Sequence, residues 1–301
     1  MASPLLGSQL GFQSDGRHLA GPSLSASSIL AFWHLASLDA PTVAVVWALA
    51  IAASVHVHLE PWIITLLATG TWTVYVLDRL LDARRAIRSL ALGVLRDRHH
   101  FHWRHRRVLL PLASCTAAAS VTLIFRLMPA TTREHNSVIA IAALAYFSGV
   151  HASAQFPRWL RSLFSKEMLV GSLFAIGCAA PTFTRLHTSG AALAAVLGLA
   201  FLALLAWLNC AAISAWESRD AGAAVHAVAA VLALAGLLLA ASLPRSLAPT
   251  AALLGCGALS ALSISALHLV RKHSSPLVLR ALADLVLLTP AVLLIPGVLP
   301  R

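Results

Sequence analysis

The chain has 301 residues, of which 59% are hydrophobic and only 11% are charged, and its mean hydropathy is +0.82. An ordinary soluble domain has roughly 25% charged residues, so the composition excludes a soluble globular protein and indicates an integral membrane protein. A formal net charge of +11 would suggest nucleic acid in a soluble protein, but in a membrane protein it reports topology and contact with anionic headgroups or phosphorylated substrates.

The N-terminal segment, residues 1–28, is rich in Ser and Gly. It lacks the charged start and the short apolar core of a secretory signal, so we expect a flexible tail followed by one transmembrane domain over 29–301. The four cysteines lie in apolar stretches without CxxC spacing: Cys115, Cys178, Cys210 and Cys256. We therefore expect buried thiols and no disulfide-linked partner.

Charges and prolines divide the rest of the chain into nine apolar segments of about the 20 residues that a membrane-spanning helix needs. The segments run approximately over 39–58, 62–81, 108–126, 137–156, 167–184, 190–216, 222–242, 249–270 and 278–298. A segment in lipid must satisfy its own backbone hydrogen bonds. The prediction is an all-α, polytopic membrane helical bundle of about nine transmembrane helices.

The distribution of basic residues predicts the orientation of these helices. Sixteen of the 22 Lys and Arg residues fall in the even-numbered connections, and five fall in the odd-numbered connections and the C-terminus. Arg17, in the tail, lies on the side of the sixteen. Basic residues concentrate on the cytoplasmic side, so we expect a multi-pass cell-membrane protein with a cytoplasmic N-terminus and its C-terminus on the opposite side.

The second predicted helix ends in YVLDRLLDARRA, residues 75–86, where two acids stand among arginines. Asp78 and Asp82 are four residues apart, so they project from one face of the helix near its C-terminus. Like charges repel at this spacing, and the helix dipole disfavours acids there. Either neighbouring arginines neutralise the pair, or a divalent cation lies between the carboxylates, since Mg²⁺ binds one or two carboxylates together with phosphate oxygens and water.

The longest connection, residues 82–107, is predicted to be cytoplasmic and contains the basic run RDRHHFHWRHRR. Such a run suits an amphipathic segment bound to lipid headgroups. It also suits a lid that brings positive charge to a phosphorylated substrate. Its histidines could instead bind a transition metal: His99, His100, His102 and His105.

A second acidic pair follows near the end of the sixth predicted helix, in NCAAISAWESRDA, residues 209–221. Glu217 and Asp220 are three residues apart, and Asn209 lies about two turns earlier on roughly the same face. Both pairs enclose an arginine, Arg79 in the first and Arg219 in the second. The two pairs are predicted to lie on the same side of the membrane.

The ninth predicted helix contains one acid, Asp284, one turn after Arg280. Opposite charges at this spacing attract, so we expect the two to neutralise each other. Most other acids lie at the predicted cytoplasmic edge and not near the membrane centre. That placement disfavours a transporter.

Together these features resemble the UbiA-type intramembrane prenyltransferases. Members of that family have nine transmembrane helices and two aspartate-rich motifs, after helices two and six, which hold Mg²⁺ and a prenyl diphosphate at the cytoplasmic side. The resemblance covers about residues 30–298. The first family motif commonly reads NDxxDxxxD; its last two acids match Asp78 and Asp82, while Val74 and Tyr75 stand where it has Asn and Asp. The second, usually DxxxD, corresponds to Glu217 and Asp220.

The resemblance implies transfer of a prenyl group from a prenyl diphosphate to a lipophilic, aromatic acceptor, with Mg²⁺ as cofactor. It implies catalytic and metal-binding roles for Asp78, Asp82, Glu217 and Asp220. It implies substrate binding by Tyr75, Arg79, Arg84, Arg85, Asn209 and Arg219. The expected partners are membrane lipid, the diphosphate and the hydrophobic acceptor, and no nucleic acid. The alternative is a non-catalytic membrane protein of the same architecture, in which arginines neutralise both acid pairs.

Overall fold

The computed structural model describes residues 26–88, 97–134, 136–138, 140–141, 166–186, 188–218 and 223–298. Within these ranges the chain is all-α, as predicted, and no strand is present. The helices are α1 (Ala26–Leu35), α2 (Asp39–Ser54), α3 (Pro61–Arg88), α4 (Asp97–Arg104), α5 (Arg106–Leu127), α6 (Lys166–Phe183), α7 (Ser189–Ser218), α8 (Ala223–Ser242), α9 (Ala248–Val270) and α10 (Pro276–Leu285). A 3₁₀ helix, Val286–Leu294, continues α10.

Five helical segments of the described chain are long and apolar enough to cross a membrane: Arg106–Leu127, Ser189–Glu217, Ala224–Ser242, Arg245–His273 and Pro276–Leu294. A sixth results if the bent pair Ser28–Leu35 and Asp39–Ser54 forms one span. These helices are consistent with a membrane protein. The predicted number of about nine is not reached in the described ranges, and most of the predicted segment 137–156 lies outside them.

Helix α3 is long but less apolar than a spanning segment, because charged residues occupy its C-terminal part and threonines lie along the side that packs on α5. The hydroxyl groups of Thr69 and Ser120 lie 2.9 Å apart, and those of Thr73 and Thr116 lie 2.7 Å apart. Hydroxyl pairs of this kind join helices in an apolar surrounding. The same contact buries Val76 against α5, so polar and apolar contacts together fix the position of α3.

A sharp corner separates α1 from α2, whose axes differ by 86°. Ser37 forms the corner with a φ of +60°, which is uncommon for a residue with a side chain. Helix α2 then begins at Asp39, whose Oδ1 accepts a hydrogen bond from the Ala40 N–H at 3.0 Å. Because of the corner, α1 packs against α10 and α4. Helix α1 begins at Ala26, within the predicted tail of residues 1–28. Residues 1–25 lie outside the described part.

Helix α2 lies at the centre of the bundle and contacts α3, α6, α7, α9 and α10. Trp47 is fully buried there, and its indole N–H donates a hydrogen bond to the Leu287 carbonyl at 2.9 Å. That carbonyl is available because Val286–Leu294 is a 3₁₀ helix, in which its donor would be the N–H three residues later, and Pro290 has no N–H at that position. The predicted continuous helix 278–298 is therefore an α-helix that changes into a 3₁₀ helix after residue 285.

Helices α6 and α7 approach each other closely at Gly171. A Cβ atom at this position would lie 2.7 Å from the backbone nitrogen of Trp207. Small residues allow this approach in membrane proteins, where packing and not water exclusion drives helix association. The close contact fixes α6, which forms one wall of the cavity described below.

The predicted loop 82–107 is largely helical where the structure describes it. Helix α3 extends to Arg88, and α4 covers Asp97–Arg104 immediately before α5. Helix α4 packs against α3, α5 and α1. The basic run is thus placed on a short helix that is attached to the bundle.

Candidate functional site

Five polar side chains from five helices meet inside the bundle: His34 (α1), Asp39 (α2), Arg79 (α3), Asn209 (α7) and Asp284 (α10). We call them the polar cluster. Nδ1 of His34 lies 2.6 Å from Oδ2 of Asp39 and 3.4 Å from Oδ2 of Asp284. The corner at Ser37 makes this possible, because it turns His34 back towards the first residue of α2.

Asp39 and Arg79 form a buried ion pair within the polar cluster. Asp39 is 0% exposed and Arg79 is 5% exposed. Nη2 of Arg79 lies 3.2 Å from Oδ2 of Asp39, and Nη1 donates to the His34 carbonyl at 2.7 Å. The guanidinium also lies 4.3 Å from the centre of the Tyr75 ring, at cation–π distance. Arg79 therefore connects α3 to both sides of the α1–α2 corner.

Asp284, on α10, contacts two other members of the polar cluster. Its Oδ1 accepts a hydrogen bond from Nδ2 of Asn209 at 3.0 Å, while its Oδ2 faces His34. Among the described residues, a group of His, Cys, Asp or Glu side chains close enough to hold a metal ion is formed by His34, Asp39 and Asp284. Sequence reasoning did not predict this group.

An apolar cavity of about 550 Å³ lies beside the polar cluster, between α2, α3, α5 and α6. Ala40 and Tyr75, which adjoin Asp39 and Arg79, are part of its wall. Two charged residues, Asp78 and Arg185, belong to the same wall. The remaining lining is mainly apolar, for example Trp62 and Phe174, with a few polar residues such as Thr71 and Asn136. Volumes of 300–1,000 Å³ are usual for sites that bind small organic ligands.

The sequence-predicted site residues lie in several places. Asp78 and Tyr75 line the cavity, and Asp82 is half-buried one turn beyond Asp78. Arg79 and Asn209 belong to the polar cluster. Arg84 and Arg85 are exposed, and Arg219 and Asp220 lie outside the described residues.

Glu217 lies in a separate ionic group. Its Oε1 contacts Nη2 of Arg280 and lies 3.7 Å from Nη1 of Arg98 on α4. The expected neutralisation of Asp284 by Arg280 is therefore wrong: Arg280 turns to α7 and Asp284 turns to α1. A helical spacing of four permits a contact within one helix, but each side chain here meets a partner on a neighbouring helix.

His102, one of the four clustered histidines, has a structural contact. The Nδ1–H of His102 donates to the Arg98 carbonyl at 2.8 Å, which leaves Nε2 to accept from the Ser37 hydroxyl at 3.0 Å. His102 is fully buried, and burial lowers its pKa to about 4. A neutral imidazole therefore holds α4 against the α1–α2 corner.

No protein-family model, characterised protein or solved structure matches this chain. Within the described residues, the apolar cavity with its charged wall residues and the adjoining polar cluster are the candidate sites.

Proposed function

We propose that this protein is a nine-helix membrane prenyltransferase of the UbiA type, which transfers a prenyl group from a prenyl diphosphate to a lipophilic, aromatic acceptor. The supporting observation is the apolar cavity of about 550 Å³ with Asp78 in its wall. A prenyl chain requires apolar surroundings, whereas its diphosphate requires cations or a metal site. Aliphatic wall residues provide the apolar surroundings, and the end of α3 near Asp78 provides the proposed metal site.

Asp78 and Asp82 are the proposed ligands of one Mg²⁺ ion. They lie one turn apart on α3, and their oxygen donors fit a hard cation that keeps several water molecules. When bound, the ion would neutralise charge on the diphosphate as the allylic C–O bond breaks. Arg84 and Arg85 follow on the next turn, where guanidinium groups can hold phosphate oxygens. This arrangement requires the C-terminal end of α3 to be cytoplasmic, as the basic residues predict.

Tyr75 and the aliphatic walls have a proposed role after the C–O bond breaks. The Tyr75 ring lines the cavity one turn from Asp78, and aromatic rings attract cations. The apolar walls would keep water away from the prenyl cation until the acceptor attacks. The acceptor reaches this position from the membrane.

Transfer can be measured directly with the purified chain, Mg²⁺, radiolabelled prenyl diphosphates of several lengths and a panel of aromatic acceptors. Asp78→Asn is expected to lower turnover by about 100-fold or more, the usual effect of removing one group that stabilises transition-state charge. Glu134→Gln, which changes an exposed acid, should leave turnover unchanged. Equal turnover of wild type and Asp78→Asn would remove Asp78 from the mechanism.

Filling the cavity tests the binding of the prenyl chain. Gly70 and Gly177 line the cavity, and a Cβ at either position meets nothing within 4 Å. Gly70→Leu and Gly177→Leu should therefore weaken prenyl diphosphate binding without a clash at the backbone. Gly255→Leu, which also has open space at Cβ but lies in α9 away from the cavity wall, is the matched control. Unchanged binding in all three variants would contradict a role for the cavity.

The second candidate is a non-catalytic lipid-binding protein of the same architecture. It is favoured by the pairing of Glu217 with Arg280, an acid of the second predicted pair already neutralised. Binding of prenyl diphosphate that depends on the cavity, without turnover on any acceptor, would support this candidate over the enzyme.

A further inference from the structure

Three members of the polar cluster present donor atoms to one small volume. A ring nitrogen of His34 and carboxylate oxygens of Asp39 and Asp284 all lie within 4.8 Å of one another. His34 is 2% exposed and Asp39 is 0% exposed. The side chain of Asp284 is 13% exposed. These donors come from the first, second and last described α-helices and are distinct from the proposed Asp78–Asp82 site.

Two side chains of the cluster have buried polar atoms that lack a well-formed hydrogen bond to any described residue. Both ring nitrogens of His34 are of this kind, because Nδ1 approaches the carboxylates without hydrogen-bond alignment. Oδ1 of Asn209 is also buried without a partner. Burying such atoms unsatisfied costs free energy. An ion bound by one ring nitrogen of His34 would satisfy that atom and Oδ1 of Asn209, and it would lie among carboxylate oxygens that already face the imidazole.

The charges of the cluster also favour a cation. Two carboxylates, on Asp39 and Asp284, face one guanidinium, on Arg79. With a neutral imidazole the cluster therefore has one uncompensated negative charge in an apolar interior, which is unfavourable. A metal ion compensates this charge and uses the lone pair of His34.

We infer that His34, Asp39 and Asp284 form a binding site for a divalent first-row transition metal ion of the Zn²⁺ type, with the Asn209 carbonyl oxygen as a fourth donor. An imidazole nitrogen with carboxylate oxygens suits such an ion, whereas Mg²⁺ prefers oxygen donors alone. Tetrahedral bonds of 2.0–2.1 Å place donor atoms about 3.3 Å apart. The separation of 3.4 Å between His34 and Asp284 fits this value, and the 2.6 Å between His34 and Asp39 must widen.

Arg79 is a positioning residue for this site. It binds Oδ2 of Asp39 through Nη2 and the His34 carbonyl through Nη1, so it orients two of the three ligands. The Ala40 N–H holds the other oxygen of Asp39. Outer contacts of this kind commonly change metal affinity 10–100-fold.

Metal binding can be measured on the full chain, purified in detergent with an affinity tag that contains no histidine. The protein is treated with a chelator, dialysed against Zn²⁺ or Co²⁺, and analysed by elemental mass spectrometry and by the visible absorption of bound Co²⁺. We expect one ion per chain. His34→Gln and Asp284→Asn should each weaken affinity by about 100-fold or more, and Arg79→Gln by about 10–100-fold. His58→Gln and Glu134→Gln, which change exposed side chains, should bind as wild type does.

Wild-type protein that takes up neither Zn²⁺ nor Co²⁺ would overturn the inference and leave a proton on His34 as the compensating charge. Equal binding by His34→Gln would overturn it as well. Each variant is checked for helicity and monodispersity before metal is added. If the cluster variants do not fold, X-ray absorption of Zn²⁺ bound to wild type decides the question. One imidazole with oxygen donors supports the site, whereas two or more imidazoles would assign the ion to the histidines of α4. None of these measurements depends on transferase activity, so the two proposals can fail separately.

Discussion

Removing the Arg79 guanidinium is expected to destabilise the bundle through Asp39. In Arg79→Met the apolar part of the side chain stays, but the carboxylate, fully buried, loses a cation 3.2 Å away. At that distance the attraction is about 5 kcal/mol for an effective dielectric constant near 20. Breaking one side of a buried pair costs roughly 3–5 kcal/mol. His34 lies 2.6 Å from the same oxygen and can substitute in part, so we expect a loss of about 3 kcal/mol.

The free energy of unfolding can be measured in mixed micelles by raising the fraction of SDS and following circular dichroism. Arg84→Met, five residues further along α3 at an exposed position, is the control and should change stability by less than about 0.5 kcal/mol. The double variant Arg79→Met with Asp39→Asn should lose less than the sum of the single variants, since the two residues are in contact. Equal free energies of unfolding for Arg79→Met and Arg84→Met would contradict a buried ion pair between Arg79 and Asp39.

Two further predictions concern packing and pH. In Gly171→Ala the new methyl group would lie 2.7 Å from the Trp207 backbone, so α6 and α7 must separate at a cost of roughly 1–3 kcal/mol. Gly177→Ala on the same helix meets nothing within 4 Å and should be neutral or up to about 1 kcal/mol more stable; similar thermal unfolding of both variants in detergent would contradict the close approach. For His102 the folded pKa, about 4, lies below the ordinary 6.5, so its stabilising contribution is complete above pH 6.5 and is lost as the pH falls towards 4. The pH dependence of unfolding between 7 and 5 should be flatter in His102→Gln than in wild type or in His105→Gln, an exposed control; three equal profiles would exclude His102 as a contributor.

The helical architecture is largely predictable because its signal is local. Apolar segments must form helices in lipid, and helices α5, α7, α8 and α9 lie close to the predicted segments. The corner at Ser37 is not predictable in this way. Between the end of α1 at Leu35 and the start of α2 at Asp39 the sequence has no glycine or proline that would indicate a turn, and the angle is held by distant contacts such as that with His102.

The sequence does not predict the group formed by His34, Asp39 and Asp284, because these residues are far apart along the chain. In the sequence, Asp39 is the first residue of a predicted spanning segment, and Asp284 is the expected partner of Arg280 on its own helix. Only the packing of α1 against α10 brings His34 to Asp284. One signal is present in the sequence: Asp284 lies within a long apolar segment and Asp39 lies at the border of another, where an ionisable residue is expensive and usually functional.

The polar cluster also constrains the order in which the protein can be assembled. Its members His34, Asp39 and Arg79 are synthesised early, whereas Asp284 lies in the last helical segment of the described chain. When Asp284 enters the membrane, the other helices must already present its partners, because an isolated carboxylate in lipid is strongly disfavoured. This segment can therefore be inserted stably only when α1 and α7 already present the partners of Asp284, and its insertion joins the first and last described helices.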